Sequence, residues 1–256
     1  MQIKNNTNTP KFTGLYSNLA KDMHKTTREI EAEFDLFQNA DGIAGSIPTS
    51  WSAKINKISK VERQKAKSEI QHAMRDAIEM LKTNRFKDAS KIITDAAHQF
   101  GIIPENNKLL FVKRKVRGSQ ITNAFVMKEY GKKPSLTRVF IKCFKHHDKE
   151  MENWGFLDYH GFYPELVRGI FANKKCSKHI VKTFWGDAKG YFMVSEYVVP
   201  PTGKYKRPKL PNMTKILRKN GLDHMDLHDE NIIIGSYNGK PIWKLVDLGG
   251  LVEARH

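Results

Sequence analysis

The sequence predicts an α+β fold in which a helical region precedes a β-rich unit. Two observations carry this. Apolar residues recur at helical spacing in 59–82 and 87–100. Runs of β-branched and aromatic residues, broken by turn residues, fill 108–144 and 232–246. The chain accordingly divides into a terminus at 1–20, a helical region at 21–105 and a β-rich unit at 106–256.

The terminus is rich in Asn and Thr, a composition expected to be disordered, and it lacks the apolar core of a signal peptide. Residues 24–38 read as a helix, with Thr26 and Glu29 spaced as a capping box. GIAGSIPTS, 42–50, is glycine-rich, but the sequence shows no strand before it and no Lys-Ser/Thr after it, so it is not read as a phosphate loop. Residues 59–82 form a long amphipathic helix with Ile70, Met74, Ile78 and Leu81 on one stripe. Residues 87–100 form another, stopped by Gly101 and Pro104. This region is expected to be a small bundle packed on the β-rich unit; a chaperone- or target-binding module is the competing expectation.

Residues 108–130 read as strand, turn, strand, with Gly118 and Ser119 in the turn. TRVFIKCF, 137–144, is a strand with Val139 and Ile141 on one face and Lys142 at its centre; Cys143 faces the other way and is read as packing. Pro164 suits the start of a helix whose stripe is Leu166, Val167, Ile170 and Phe171. HIVKTF, 179–184, reads as the start of a further strand, and GYFMVSEYVVPP, 190–201, as the next. One helix fits around 212–221. Ile232–Ile234 and Ile242–Val246 flank Asn238-Gly239, the dipeptide of tight hairpin turns.

The chemistry concentrates in GLDHMDLHDENIIIGSYNGKPIWKLVDLGG, 221–250. His224, Asp226, Leu227, His228 and Asn231 give H-x-D-L-H-x-x-N, and Asp247-Leu248-Gly249 follows the hairpin. This resembles the catalytic loop and D-F-G segment of the protein-kinase-like superfamily. The resemblance implies that Asp226 accepts the proton of an attacking hydroxyl and that Asn231 and Asp247 hold Mg²⁺ or Mn²⁺ at the phosphates of ATP. Lys142 resembles the strand lysine that contacts the α- and β-phosphates. Glu165 is the candidate for the helix glutamate that positions it, with Glu150 and Glu152 as rivals whose closeness to Lys142 leaves little connecting chain. Met193 is expected at the gatekeeper position. Glu196, Tyr197 and Val198 are expected to offer backbone groups to adenine. Gly118 and Ser119 stand where the family has G-x-G-x-x-G, and a single glycine there leaves open a catalytically dead pseudokinase. Met225 replaces the family's frequent Arg, which implies no activation-loop phosphate switch.

The resemblance implies a kinase-like fold with a β-rich N-lobe and a strongly reduced C-lobe, since few residues follow DLGG. That is most similar to minimal bacterial effector kinases delivered by type III secretion. The function it implies is phosphorylation of a host protein on Ser, Thr or Tyr inside the host cell, or otherwise in the cytoplasm, with a host activator or a chaperone as further partners. The same residues would also serve nucleotidyl (AMP) transfer onto protein, or phosphotransfer to a small molecule as in aminoglycoside phosphotransferases.

Composition bounds these readings. The two cysteines, Cys143 and Cys176, cannot make a disulfide framework. His146-His147 and the His224/His228 pair lack the ligand set of a zinc site. No run approaches the ~18–20 apolar residues of a membrane span. The formal charge of +17 is uneven. Residues 1–105 hold 16 basic against 13 acidic residues, and 106–256 hold 28 against 14. KRKVR, 113–117, and KYKRPK, 204–209, are the densest clusters. Such a surface attracts an acidic protein or an anionic membrane face; aromatics are not interleaved for stacking, which disfavours nucleic acid.

Overall fold

The computed structural model describes residues 43–55, 58–116, 121–145, 162–201, 209–237 and 240–254. They form an α+β architecture around an antiparallel sheet. The sheet order is β1-β5-β6-β4-β3-β2. Its strands are β1 (Ile43–Gly45), β2 (Lys108–Arg114), β3 (Ile121–Tyr130), β4 (Val139–Phe144), β5 (Thr183–Asp187) and β6 (Phe192–Glu196). β1 was not legible in the sequence. It is three residues long and exists only by pairing with β5, Ile43 opposite Asp187 and Gly45 opposite Trp185. Gly45 has φ +100°, and a Cβ there would lie 2.3 Å from the carbonyl oxygen of Phe184, so only glycine permits this approach.

Three helices cover one face of the sheet: α1 (Thr49–Ile55), α2 (Lys60–Lys82) and α3 (Phe86–Gln99). The stripe Ile70, Met74, Ile78 and Leu81 of α2 is buried as its spacing predicts. A capping box starts α2: Glu62 N–H donates to Ser59 Oγ at 3.2 Å, and Ser59 N–H donates to the Glu62 carboxylate at 3.0 Å. These helices do not make a core of their own. Trp51, Ile55, Met74 and Ile93 share one apolar cluster with Phe125, Ile141, Trp185 and Val194 of the sheet. Each such side chain contributes about 1.5–3 kcal/mol on burial. A buried ion pair joins the layers. Arg75 Nε on α2 donates to Asp187 Oδ2 on β5 at 2.6 Å, and Asp187 also accepts the amides of Lys189 and Gly190.

Beyond the sheet lie α4 (Phe162–Cys176), α5 (Leu210–Lys219), β7 (Leu222–His224), the 3₁₀ turn Asp229–Asn231, β8 (Ile232–Tyr237), β9 (Lys240–Leu245) and β10 (Leu251–Glu253). β8 pairs with β9, and Tyr237 opposite Lys240 leaves a two-residue connection, Asn238-Gly239, which itself lies outside the described residues. β10 returns to pair with β7. A second apolar cluster gathers Ala172, Ile180, Met213, Leu217, Leu222, Leu245 and Leu251. The amino-terminal half of α4 instead packs under the sheet, with Phe162 and Leu166 against Phe144 and Met193. One helix thus touches both clusters, and it carries Glu165 between them.

One strand boundary differs from expectation. β5 begins at Thr183, because residues 179–181 cross to the end of β9. There Leu245 N–H donates to His179 O, and Val181 N–H donates to Leu245 O. Cys143 is buried, and burial pushes its thiol up to about 12, as suits a packing residue. Among the described residues no helix is long and apolar enough to cross a membrane. The expected helix at 24–38, the His146-His147 pair, and Glu150 and Glu152 lie outside the described residues, as does KYKRPK except for Lys209.

Candidate functional site

A cavity of about 590 Å³ opens between the sheet and the β7–β9 layer. Lys142, Glu165, Asp226, Asn231 and Asp247 all line it. They come from separate places: the middle of β4, the first turn of α4, the loop after β7, the 3₁₀ turn, and the loop after β9. Lys142 reaches the cavity because strand alternation turns it away from the buried side chains of Ile141 and Cys143.

Lys142 Nζ donates to Glu165 and, at 3.3 Å, to the carbonyl oxygen of Val246. The Glu165 side chain is 5% exposed and that of Lys142 12%, so the pair is little screened by water. One turn along α4, Arg168 donates to the carbonyl oxygen of Gly249. α4 therefore binds the strand lysine through one side chain and the DLGG loop through another. Arg168 was missed in the sequence; its signal is its spacing of three from Glu165, which puts both on one helix face.

His224 clasps the two loops that carry the carboxylates. Its Nδ1 accepts the Asp226 amide at 3.2 Å, and its Nε2 donates to the carbonyl oxygen of Asp247 at 2.9 Å. This pattern requires the neutral ring. Burial lowers the pKa of His224, opposed by its bond to Asp247 and the nearby carboxylates. Gly250 is pressed against this ring; a Cβ there would lie 2.6 Å from His224 Cε1. A pH dependence follows. The unfolded chain protonates its histidines near the ordinary value of about 6.5, while the folded ring resists, so stability falls as the pH drops below that value. His179, also lowered by burial, adds to the same trend. Thermal unfolding followed across this range checks it: His224→Asn is expected to lose less stability on acidification than the unmodified protein, and an equal loss would contradict the assignment.

Asn231 Nδ2 donates to the carbonyl oxygen of Asp226 at 2.9 Å, and the Asn231 carbonyl accepts the Val246 amide. The side-chain bond commits the Asn231 amino group to the loop and leaves its Oδ1 as the outward acceptor. The Asp247 carboxylate accepts the Gly249 amide at 3.2 Å through one oxygen. Asn231 and Asp247 together offer a hard, all-oxygen donor set of the kind that suits Mg²⁺ or Mn²⁺. Among the described residues there is no group of three or more His, Cys, Asp or Glu gathered as for a metal ion, so other oxygens must complete any coordination here. The Asp226 side chain is 54% exposed and lies 3.8 Å from His228.

The apolar part of the cavity is a slot between Val116, Phe140 and Val181 on one hand and Ile233 and Val246 on the other. Its far wall is Ser195, Glu196, Tyr197 and Val198. The amides of Glu196 and Tyr197 are taken by the carbonyls of Lys182 and Arg138. The Glu196 carboxylate accepts Lys244 Nζ at 2.6 Å. Among the described residues no hydrogen bond engages the backbone of Val198. Met193, the expected gatekeeper, does not line the cavity. Met193 packs with Phe144, Phe162 and Leu166, and Ser195 lines the cavity in its place. Gly118 and Ser119 lie outside the described residues.

No protein-family model matches the chain, and no curated protein matches it.

Proposed function

We propose that the protein is a protein kinase of the kinase-like superfamily, transferring the γ-phosphoryl group of ATP to a hydroxyl of a host protein as a secreted bacterial effector. The observation that carries this is the convergence of Lys142, Glu165, Asp226, Asn231 and Asp247 on one cavity. Adenine occupies the apolar slot, with the free backbone of Val198 at its edge. Lys142, held by Glu165, neutralises charge on the α- and β-phosphates. Asn231 and Asp247 would hold a divalent cation, which when bound would supply charge neutralisation at the phosphates. The acceptor oxygen bonds to the γ-phosphorus as the bond to the β–γ bridging oxygen breaks. The hydroxyl proton passes to Asp226, and ADP leaves. Most of the rate comes from positioning and charge neutralisation. The basic surface of 106–256 steers an acidic target to this cavity.

Equilibrium binding of a fluorescent ATP analogue with Mg²⁺ tests the nucleotide assignment. The unmodified protein binds it, ATP competes, and Lys142→Ala weakens binding about tenfold or more, a loss of about 1.4 kcal/mol. Equal affinity in Lys142→Ala would place the nucleotide elsewhere.

A further inference from the structure

The sheet has an open edge that the proposed chemistry does not use. Among the described residues β2 is its outer strand, paired only with β3. Its outward backbone row begins at Leu109, whose amide donates to Thr94 Oγ1 at 3.0 Å, with Thr94 Oγ1 donating back to the Leu109 carbonyl at 3.4 Å. Antiparallel alternation puts the backbone groups of Phe111 and Lys113 on that same outward row. Among the described residues no hydrogen bond engages them. Thr94 therefore closes the edge at one point and leaves the rest available for pairing.

Beside this edge runs a groove of about 470 Å³ between β2 and α3. Phe86 and the buried Phe111 give it an apolar floor. Lys87, Lys91 and Lys108 stand exposed on its rim, and Asp95 is the one acidic residue among its lining. The nearby Asp88 is engaged by Arg85 at 2.8 Å. Lys113 adds a further positive charge on the strand itself. Lysines along an edge repel a second copy of the same edge. They favour an acidic strand instead.

We propose that β2 and its groove bind an extended acidic segment of a partner protein. The segment adds as a further strand, its main chain pairing with Phe111 and Lys113. On the helix-covered face its apolar side chains enter the groove over Phe86 and Phe111, flanked on that face by acidic ones that meet Lys87 and Lys91, and acidic side chains on the other face meet Lys108. This surface is separate from the cavity, so the inference stands or falls independently of the kinase reading.

The test uses the full chain and a short, end-blocked, fluorescent peptide of valine and glutamate, its valines on one face at the centre and glutamates flanking them on that face and filling the other, followed by anisotropy. The peptide is expected to bind, with affinity falling as salt rises. N-methylation of its backbone amides should abolish binding, because main-chain pairing supplies the specificity. The double substitution Lys87→Glu and Lys91→Glu changes exposed side chains only and should weaken binding about tenfold or more. Lys113→Pro removes an outward amide without touching the β3 ladder and should do the same, checked for folding by thermal melt. Competing nucleotide should have no effect. Absence of binding at low salt, equal binding of the N-methylated peptide, or undiminished binding in both variants would overturn the proposal. So would self-association in sedimentation that Lys113→Pro abolishes, which would assign the edge to a second copy of this chain.

Discussion

Asp247→Ala is expected to lower phosphoryl transfer about a thousandfold or more while the protein stays folded. At the proposed cation site Asp247 would supply a charged oxygen, and Asn231 alone would offer a neutral one. Asp247 is only half-buried, so the fold is expected to tolerate the substitution. Asp226→Asn should give a comparable loss for a different reason: it keeps the shape of the loop but cannot accept the hydroxyl proton. Rates measured with saturating target, beside thermal melts, separate chemistry from unfolding. Transfer by Asp247→Ala at the unmodified rate would refute the cation site.

The second large effect is on stability. Asp187→Ala is expected to destabilise the fold by about 3–5 kcal/mol, the usual consequence of removing one partner from a buried ion pair. The Asp187 side chain is fully buried, and it accepts Arg75 and two backbone amides. Its loss strands all three donors at the junction of α2 and the sheet. Arg75→Met with Asp187→Leu, which removes both charges, should recover much of that loss. Denaturant unfolding of the single and double variants checks this; a single variant within about 1 kcal/mol of the unmodified protein would mean that the junction is held by apolar packing alone.

The candidate site was legible where its chemistry is local. Asp226, Asn231 and Asp247 fall within one short stretch, and Asn238-Gly239 announces the hairpin that separates them. Lys142 was legible through strand alternation. Glu165 needed more: Glu150 and Glu152 have the same chemistry, and only the placement of α4 under the sheet brings Glu165 to Lys142. Met193 was expected where Ser195 lines the cavity, and both share one face of β6. Both are buried; what separates them is that Phe162 and Leu166, from a distant helix, close over Met193. The stripes of α2 and α3 were legible as stripes, but not what they bury against. That depends on contacts such as Arg75 to Asp187, 112 residues apart, which no local pattern encodes. β1 was invisible for the same reason, being defined wholly by its partner strand.

The proposed chemistry is transfer of the terminal phosphoryl group of ATP in this cavity. The most direct measurement is a paired incubation of the protein with Mg²⁺ or Mn²⁺, a host-cell lysate, and ATP labelled at either the γ- or the α-phosphate. The expected result is protein-bound label from the γ position alone, lost in Asp226→Asn and Asp247→Ala. Label from the α position would contradict it and assign nucleotidyl transfer to the same residues, and no label from either position would leave a kinase-shaped binding module instead of an enzyme.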